Sequence, residues 1–284
     1  MAIQVRDLTF SYGGGVKAVD GISFDVAPGE ILGVLGPNGA GKSTTIKMLT
    51  GMLDPGAGSI TVLGLPMPER KEEIQARIGV CFEEKNLYPQ MTGRENLAFF
   101  ARLYGIRHFD PDPLLERVGL FDRRNDRVAD YSKGMRQRLM VARALVNDPE
   151  VLFLDEPTDG LDPVSARSVR AIIEAEAERG VAVVLTTHDM YEADQLSNRV
   201  AFIDEGRILT IDTPEHLKLT HGRRSVKVKL LRDGNEVTET VPLDGDGATE
   251  RLERLLESGT ILTIHTEEAT LEDIFVELAG RRLE

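Results

Sequence analysis

The chain's strongest constraint lies at residues 31–44. Ile31-Leu-Gly-Val-Leu35 is a short apolar run, and Gly36-Pro37-Asn38-Gly39-Ala40-Gly41-Lys42-Ser43-Thr44 follows it directly. An apolar run of this length, ended by glycine, reads as a buried strand. The pattern G-x-x-x-x-G-K-[ST] between a strand and a helix is a phosphate-binding loop. Glycines let backbone N–H groups turn inward around a phosphate where side chains would collide. The helix that opens near Gly41 adds partial positive charge at its N-terminus. In this arrangement Lys42 reaches the β- and γ-phosphates, and the Ser43 hydroxyl is available to Mg²⁺.

Two more buried strands, Val151–Leu154 and Val181–Thr186, flank a helix predicted from Pro163 to Arg179. Asp162 caps that helix and Pro163 takes its first position. Strand, helix and strand in series imply right-handed crossovers and a parallel sheet. Met1–Ile31 reads as antiparallel strands around a glycine turn, and residues from about 83 to 146 as a mostly helical block interrupting the strand series. The expected fold is therefore α/β: a P-loop NTPase core with an antiparallel β subdomain and an inserted helical subdomain, over residues 1–218. Residues 219–284 are expected to form a small α+β domain. Val226–Leu231 and Glu236–Val241 alternate around Asp233-Gly-Asn235, which predicts a hairpin. A helix near Ala248–Glu257, a strand at Ile261–Ile264 and a helix near Leu271–Leu278 follow. The last helix sets Leu271, Ile274, Phe275 and Leu278 on one stripe, expected to pack on the hairpin.

Val151-Leu-Phe-Leu154 runs into Asp155-Glu156. A carboxylate at the C-terminal end of a buried strand lies beside the phosphate loop. Asp155 is thus expected to help hold the metal and Glu156 to polarise the attacking water.

Three further segments carry a family resemblance. Tyr131-Ser132-Lys133-Gly134-Met135-Arg-Gln-Arg precedes the acid pair, Asp155-Glu-Pro-Thr-Asp-Gly-Leu-Asp162-Pro continues it, and His188 follows the next strand in Leu185-Thr-Thr-His-Asp. This order resembles the ATP-binding subunit of ATP-binding cassette (ABC) transporters over about residues 3–218. The Tyr131, Lys133 and Met135 variants look like the exporter branch. The resemblance implies that Tyr12 stacks on adenine, that His188 contacts the γ-phosphate and orients the water, and that Asp162 lies in a loop crossing the dimer interface. It implies that Ser132 and Gly134 meet the γ-phosphate held by another subunit, in a head-to-tail dimer around two ATP. The usual Mg²⁺-contacting Gln corresponds to Glu83, with Glu84 as the neighbouring candidate. A groove near Leu87, Tyr88, Met91, Leu97, Phe99, Phe100 and Tyr104 would receive a helix of the membrane subunit.

Composition narrows the function. Lys and Arg total 34 against 47 Asp and Glu, a formal charge of −13, so a nucleic-acid partner is not expected. The single cysteine, Cys81, permits neither an intrachain disulfide nor a Cys-rich zinc site. No apolar run approaches the roughly 20 residues of a membrane span. The family resemblance implies an ATPase, with ATP and Mg²⁺, that drives export through a separately encoded permease. It would lie peripherally on the cytoplasmic face of the membrane, paired with a second copy or a homologous ATPase subunit. The alternatives are a soluble non-transport ABC ATPase and a regulatory nucleotide-binding module.

Overall fold

A computed structural model describes residues 1–13, 15–82, 86–222, 225–232, 235–243, 247–267 and 269–280. The chain divides into two units, Met1–Ile211 and Asp212 onward, so the second unit begins a little before the Leu219 expected from the change in sequence character.

In the first unit β1 (Ile3–Ser11) and β2 (Lys17–Val26) form an antiparallel pair. β3 (Ile31–Leu35) leads through the phosphate loop into α1 (Lys42–Leu49). β4 (Ala57–Val62) and β5 (Leu65–Met67) return to β1, completing a four-stranded sheet of order β2-β1-β4-β5. After α2 (Lys71–Gln75), β6 (Ile78–Cys81) enters the second sheet. The inserted block then supplies α3 (Gly93–Leu103), α4 (Asp112–Arg117) and α5 (Lys133–Ala144). The core resumes with β7 (Val151–Asp155), α6 (Pro163–Glu178), β8 (Ala182–Thr187), α7 (Met190–Leu196), β9 (Arg199–Asp204) and β10 (Arg207–Asp212).

The second sheet runs β10-β9-β3-β8-β7-β6, and β3 pairs in parallel with both β8 and β9. Its central strands β3, β8 and β7 are buried along their whole length and mostly apolar because both faces are covered. Val151, Phe153, Ala182 and Val184 point into a core shared with the antiparallel sheet and α1. Leu152, Leu154, Val183 and Leu185 point into the core beneath α5 and α6. Cys81 joins that second core, fully buried, and burial pushes its thiol up to about 11.

In the second unit α8 (Pro214–His221) precedes β11 (Ser225–Arg232) and β12 (Asn235–Pro242), which pair as a hairpin. α9 (Ala248–Glu257), β13 (Thr260–Glu267) and α10 (Leu271–Ala279) follow. The sheet order is β12-β11-β13. Val226, Val228, Leu230 and Val241 pack against Leu255 of α9. The α10 stripe does bury Leu271, Ile274 and Phe275. None of them joins the cluster under the hairpin, however; α10 packs with α8.

Candidate nucleotide site

The parallel sheet places the carboxyl ends of β3, β7 and β8 side by side, and each delivers one part of the site. From β3 the chain turns so sharply that a Cβ on Gly36 would lie 2.1 Å from the Ile203 carbonyl oxygen. At Gly41 φ is +105°, and a Cβ there would meet the Ala18 carbonyl oxygen at 2.4 Å. Side chains at either position would block the loop.

Lys42 curls back over this loop. Its ammonium donates to the carbonyls of Gly36 at 2.8 Å and Pro37 at 3.3 Å. It also lies 3.4 Å from Glu156 Oε1, with only 6% of its side chain exposed. A nearly buried cation held by neutral carbonyls and one carboxylate suits a polyanionic ligand.

β7 ends in Asp155, whose Oδ1 accepts hydrogen bonds from Ser43 Oγ at 3.1 Å and from the Thr186 hydroxyl. Glu156 turns sharply out of the strand, with φ at +49°. Its amide donates to the Thr186 carbonyl at 3.1 Å and to Thr186 Oγ1 at 3.2 Å. Its Oε2 lies 2.9 Å from His188 Nδ1 and accepts from the His188 amide at 3.4 Å. One carboxylate is thus held by Lys42 from the loop and by His188 from the end of β8.

These groups face a cleft of about 560 Å³ lined by Tyr12, Ala18, Pro37, Asn38, Gly39, Gly41, Lys42, Ser43, Thr44, Glu156, Asp159 and His188. Tyr12 is half exposed at its edge, packs edge-on against Phe10 and shares a 3.3 Å hydrogen bond with Thr44 Oγ1. Ala40 is buried in the core behind the loop rather than lining the cleft. Ser132 and Gly134 also lie off the cleft, at the start of α5. Ser132 caps that helix by accepting from the Met135 amide at 3.2 Å. A Cβ on Gly134 would sit 2.2 Å from Ser165 Oγ, and Lys133 donates to the Gly160 carbonyl at 2.8 Å. The start of α5 therefore abuts the loop that Asp162 caps onto α6. Glu83 and Glu84 fall outside the described residues.

Sequence reading passed over Ala18, Asp159 and Thr186. Asp159 lies inside the Asp155–Asp162 run without a role assigned from the pattern. Ala18 and Thr186 are ordinary strand residues, and only the tertiary fold brings them to the site.

Comparison with known proteins follows the same outline. The ABC transporter family matches residues 19–159. A fluoroquinolones export ATP-binding protein of Mycobacterium tuberculosis (strain CDC 1551 / Oshkosh) is 48% identical over 283 residues, covering 99% of this chain and 94% of that one. The chain belongs to the ABC transporter family. Nod factor export ATP-binding protein I of Paraburkholderia xenovorans (strain LB400) is 39% identical, covering 100% of this chain and 98% of that one. A solved ATP-binding subunit of an ABC transporter aligns with a TM-score of 0.69 at 28% identity, covering 77% of this chain and 92% of that one. As an ABC ATP-binding subunit, the chain is an ATPase whose hydrolysis is coupled to transport.

The cleft also fits a hard divalent cation. Among the described residues no group of three or more His, Cys, Asp or Glu gathers, so an all-protein cage is not the model here. Mg²⁺ is commonly held by one or two protein oxygens together with substrate phosphates, and Ser43 Oγ and Asp155 provide such a pair.

Proposed function

We propose that Glu156 is the general base of ATP hydrolysis and that His188 and Lys42 fix its position. The observation that carries this reading is the pair of contacts on one carboxylate, 2.9 Å from His188 Nδ1 and 3.4 Å from Lys42 Nζ, at the mouth of the phosphate loop. Lys42, the loop amides of Gly39 to Ser43 and the start of α1 bind the triphosphate. Tyr12 offers its ring to adenine. Ser43 and Asp155 hold Mg²⁺, with Glu83 as a third oxygen donor. Mg²⁺, when bound, neutralises charge on the β- and γ-phosphates as the terminal bond breaks. Thr44 hydrogen-bonds Tyr12 and joins the ring to the loop. Nucleotide work is confined to the cassette, read from sequence as residues 1–218, and residues 219–284 serve an accessory role.

The capped start of α5, with Ser132 and Gly134 off the chain's own cleft, supports a head-to-tail pair in which each copy completes the other's site. The second member is another copy or a homologous ATPase subunit. Kinship with ATP-binding subunits of exporters supports a separate permease that forms the path, with this chain acting from its cytoplasmic face; no helix among the described residues is long and apolar enough to cross a membrane. Kinship with export proteins favours outward transport of a small organic solute, with fluoroquinolones the first cargo to test.

Glu156→Gln tests the central assignment. Removing a general base costs about 10²–10⁴-fold in turnover, while ATP binding persists and an ATP-bound dimer accumulates on size-exclusion chromatography. Near-normal turnover in this variant would sink the assignment of Glu156 as base.

A further inference from the structure

The end of β8 holds both site acids through one side chain, Asp155 by its carboxylate and Glu156 by its backbone amide. Thr186 is fully buried and Asp155 nearly so. The Thr186 hydroxyl carries a single proton, and an ionised Asp155 can only accept. That proton therefore goes to Asp155 Oδ1, and the lone pairs of Thr186 Oγ1 remain for the Glu156 amide at 3.2 Å. Ser43 behaves in the same way. Its proton points to Asp155 at 3.1 Å, which leaves its own lone pairs free. The bonds form one directed chain: Glu156 N–H to Thr186 Oγ1, Thr186 O–H to Asp155 Oδ1, with Ser43 O–H arriving at the same oxygen.

This chain joins two groups that need accurate placement for different reasons. Asp155 Oδ1 takes two donors, which fixes the carboxyl plane. Glu156 sits at φ +49°, a conformation that residues with a Cβ adopt only when surroundings impose it. Its amide is shared between the Thr186 carbonyl and hydroxyl, so the turn that aims the carboxylate is fastened at its first atom. Two residues further along, His188 holds the other end of Glu156. β8 and the histidine just after it thus set the backbone and the side chain of the same residue.

We propose that Thr186 is a positioning residue for both acids, orienting Asp155 toward the metal and Glu156 toward the attacking water. This rests on the reading of Asp155 and Glu156 given above. Valine is nearly isosteric with threonine and lacks the hydroxyl, while serine keeps it. Partners that orient a metal ligand typically account for about 10–100-fold in metal affinity. Thr186→Val is therefore expected to weaken Mn²⁺ binding by at least about tenfold. The measurement is a titration of the full chain saturated with a non-hydrolysable ATP analogue, followed by electron paramagnetic resonance. Analogue affinity in EDTA should be unchanged, because Thr186 does not line the cleft. Turnover at saturating metal should fall with little change in KM for ATP, and Thr186→Ser should restore both within about twofold.

If the valine variant is poorly folded by thermal melting, Thr186→Ala against Thr186→Ser makes the same comparison, since only serine keeps the hydroxyl. Val or Ala variants that are folded and match the wild type in Mn²⁺ affinity and turnover would overturn the proposal while leaving Asp155 and Glu156 in place. A wild-type chain that bound no Mn²⁺ with the nucleotide would overturn the Asp155 assignment itself, and this proposal with it.

Discussion

Lys42 and Glu156 share a contact that a triphosphate would disturb. The lysine's 3.4 Å approach to Glu156 Oε1 draws it toward a single carboxylate, whereas phosphate oxygens would offer it several acceptors. A triphosphate that drew Lys42 away would therefore loosen its hold on the Glu156 carboxylate, since one ammonium serves both. Lys42→Ala should raise the ATP dissociation constant by an order of magnitude or more by calorimetry, from the loss of charge-assisted bonds alone. Unchanged affinity would show that the loop amides suffice. Nearby Glu192 illustrates the opposite case, a carboxyl that does not need its charge. It is almost wholly buried beside Thr187, whose hydroxyl donates to Oε2 at 2.9 Å. Burial raises its pKa above the usual 4.5. The folded state therefore binds this proton more tightly than the unfolded chain. Its contribution to stability is greatest below pH 4.5 and declines as pH rises through the folded value. Glu192→Gln has no proton to lose. Its stability relative to wild type should improve from pH 4.5 to pH 8 in urea titrations. A gap that widened against the variant at high pH would show that Glu192 is needed ionised.

Among the elements, those built on unbroken apolar runs were legible in advance. β3, β7 and β8 appear within a residue of their expected spans, because a strand covered on both faces has no polar side to blur the signal. α6 starts where Asp162 and Pro163 mark its cap. The phosphate loop and the acid pair were legible for a different reason: their residues are consecutive. Contacts between distant residues were not. Nothing in VVLTT shows that one threonine will touch Asp155, since that contact depends on β7 and β8 being neighbours in register. The stripe of α10 shows the same limit, because periodicity gives the buried face but not the element that meets it. α3 shows what a single polar residue can fix. Asn96 is fully buried, and its side chain bonds the Tyr88 amide at 2.8 Å and the carbonyls of Tyr88 at 3.1 Å and Thr92 at 2.9 Å. It thus pins the approach to α3, next to Phe99, which meets Tyr88 edge-on, and Phe100, whose ring is tilted against it. Asn96→Ala should destabilise the chain by about 2–4 kcal/mol, the cost of leaving such buried groups without partners. Chemical denaturation reads this directly, and a loss under about 0.5 kcal/mol would mean that water replaces the amide.

At the scale of the molecule, the phosphate loop, Asp155, Glu156 and His188 all belong to the first unit. The second unit has its own small core of Val226, Val228, Leu230, Val241 and Leu255. A chain ending at Thr213 should therefore bind ATP within a few-fold of the full protein, by fluorescence or calorimetry, while coupling to transport changes. A truncated chain that folds but has lost nucleotide affinity would show that the second unit shapes the site. The lone thiol has a use at this scale. Cys81 is sealed in the core and, with its thiol pushed up to about 11, stays protonated at neutral pH. The native chain is thus chemically quiet toward thiol-directed labels. Any cysteine placed on its surface becomes a unique address, so one spin label per chain would show by its dipolar coupling whether two copies come together when ATP is added.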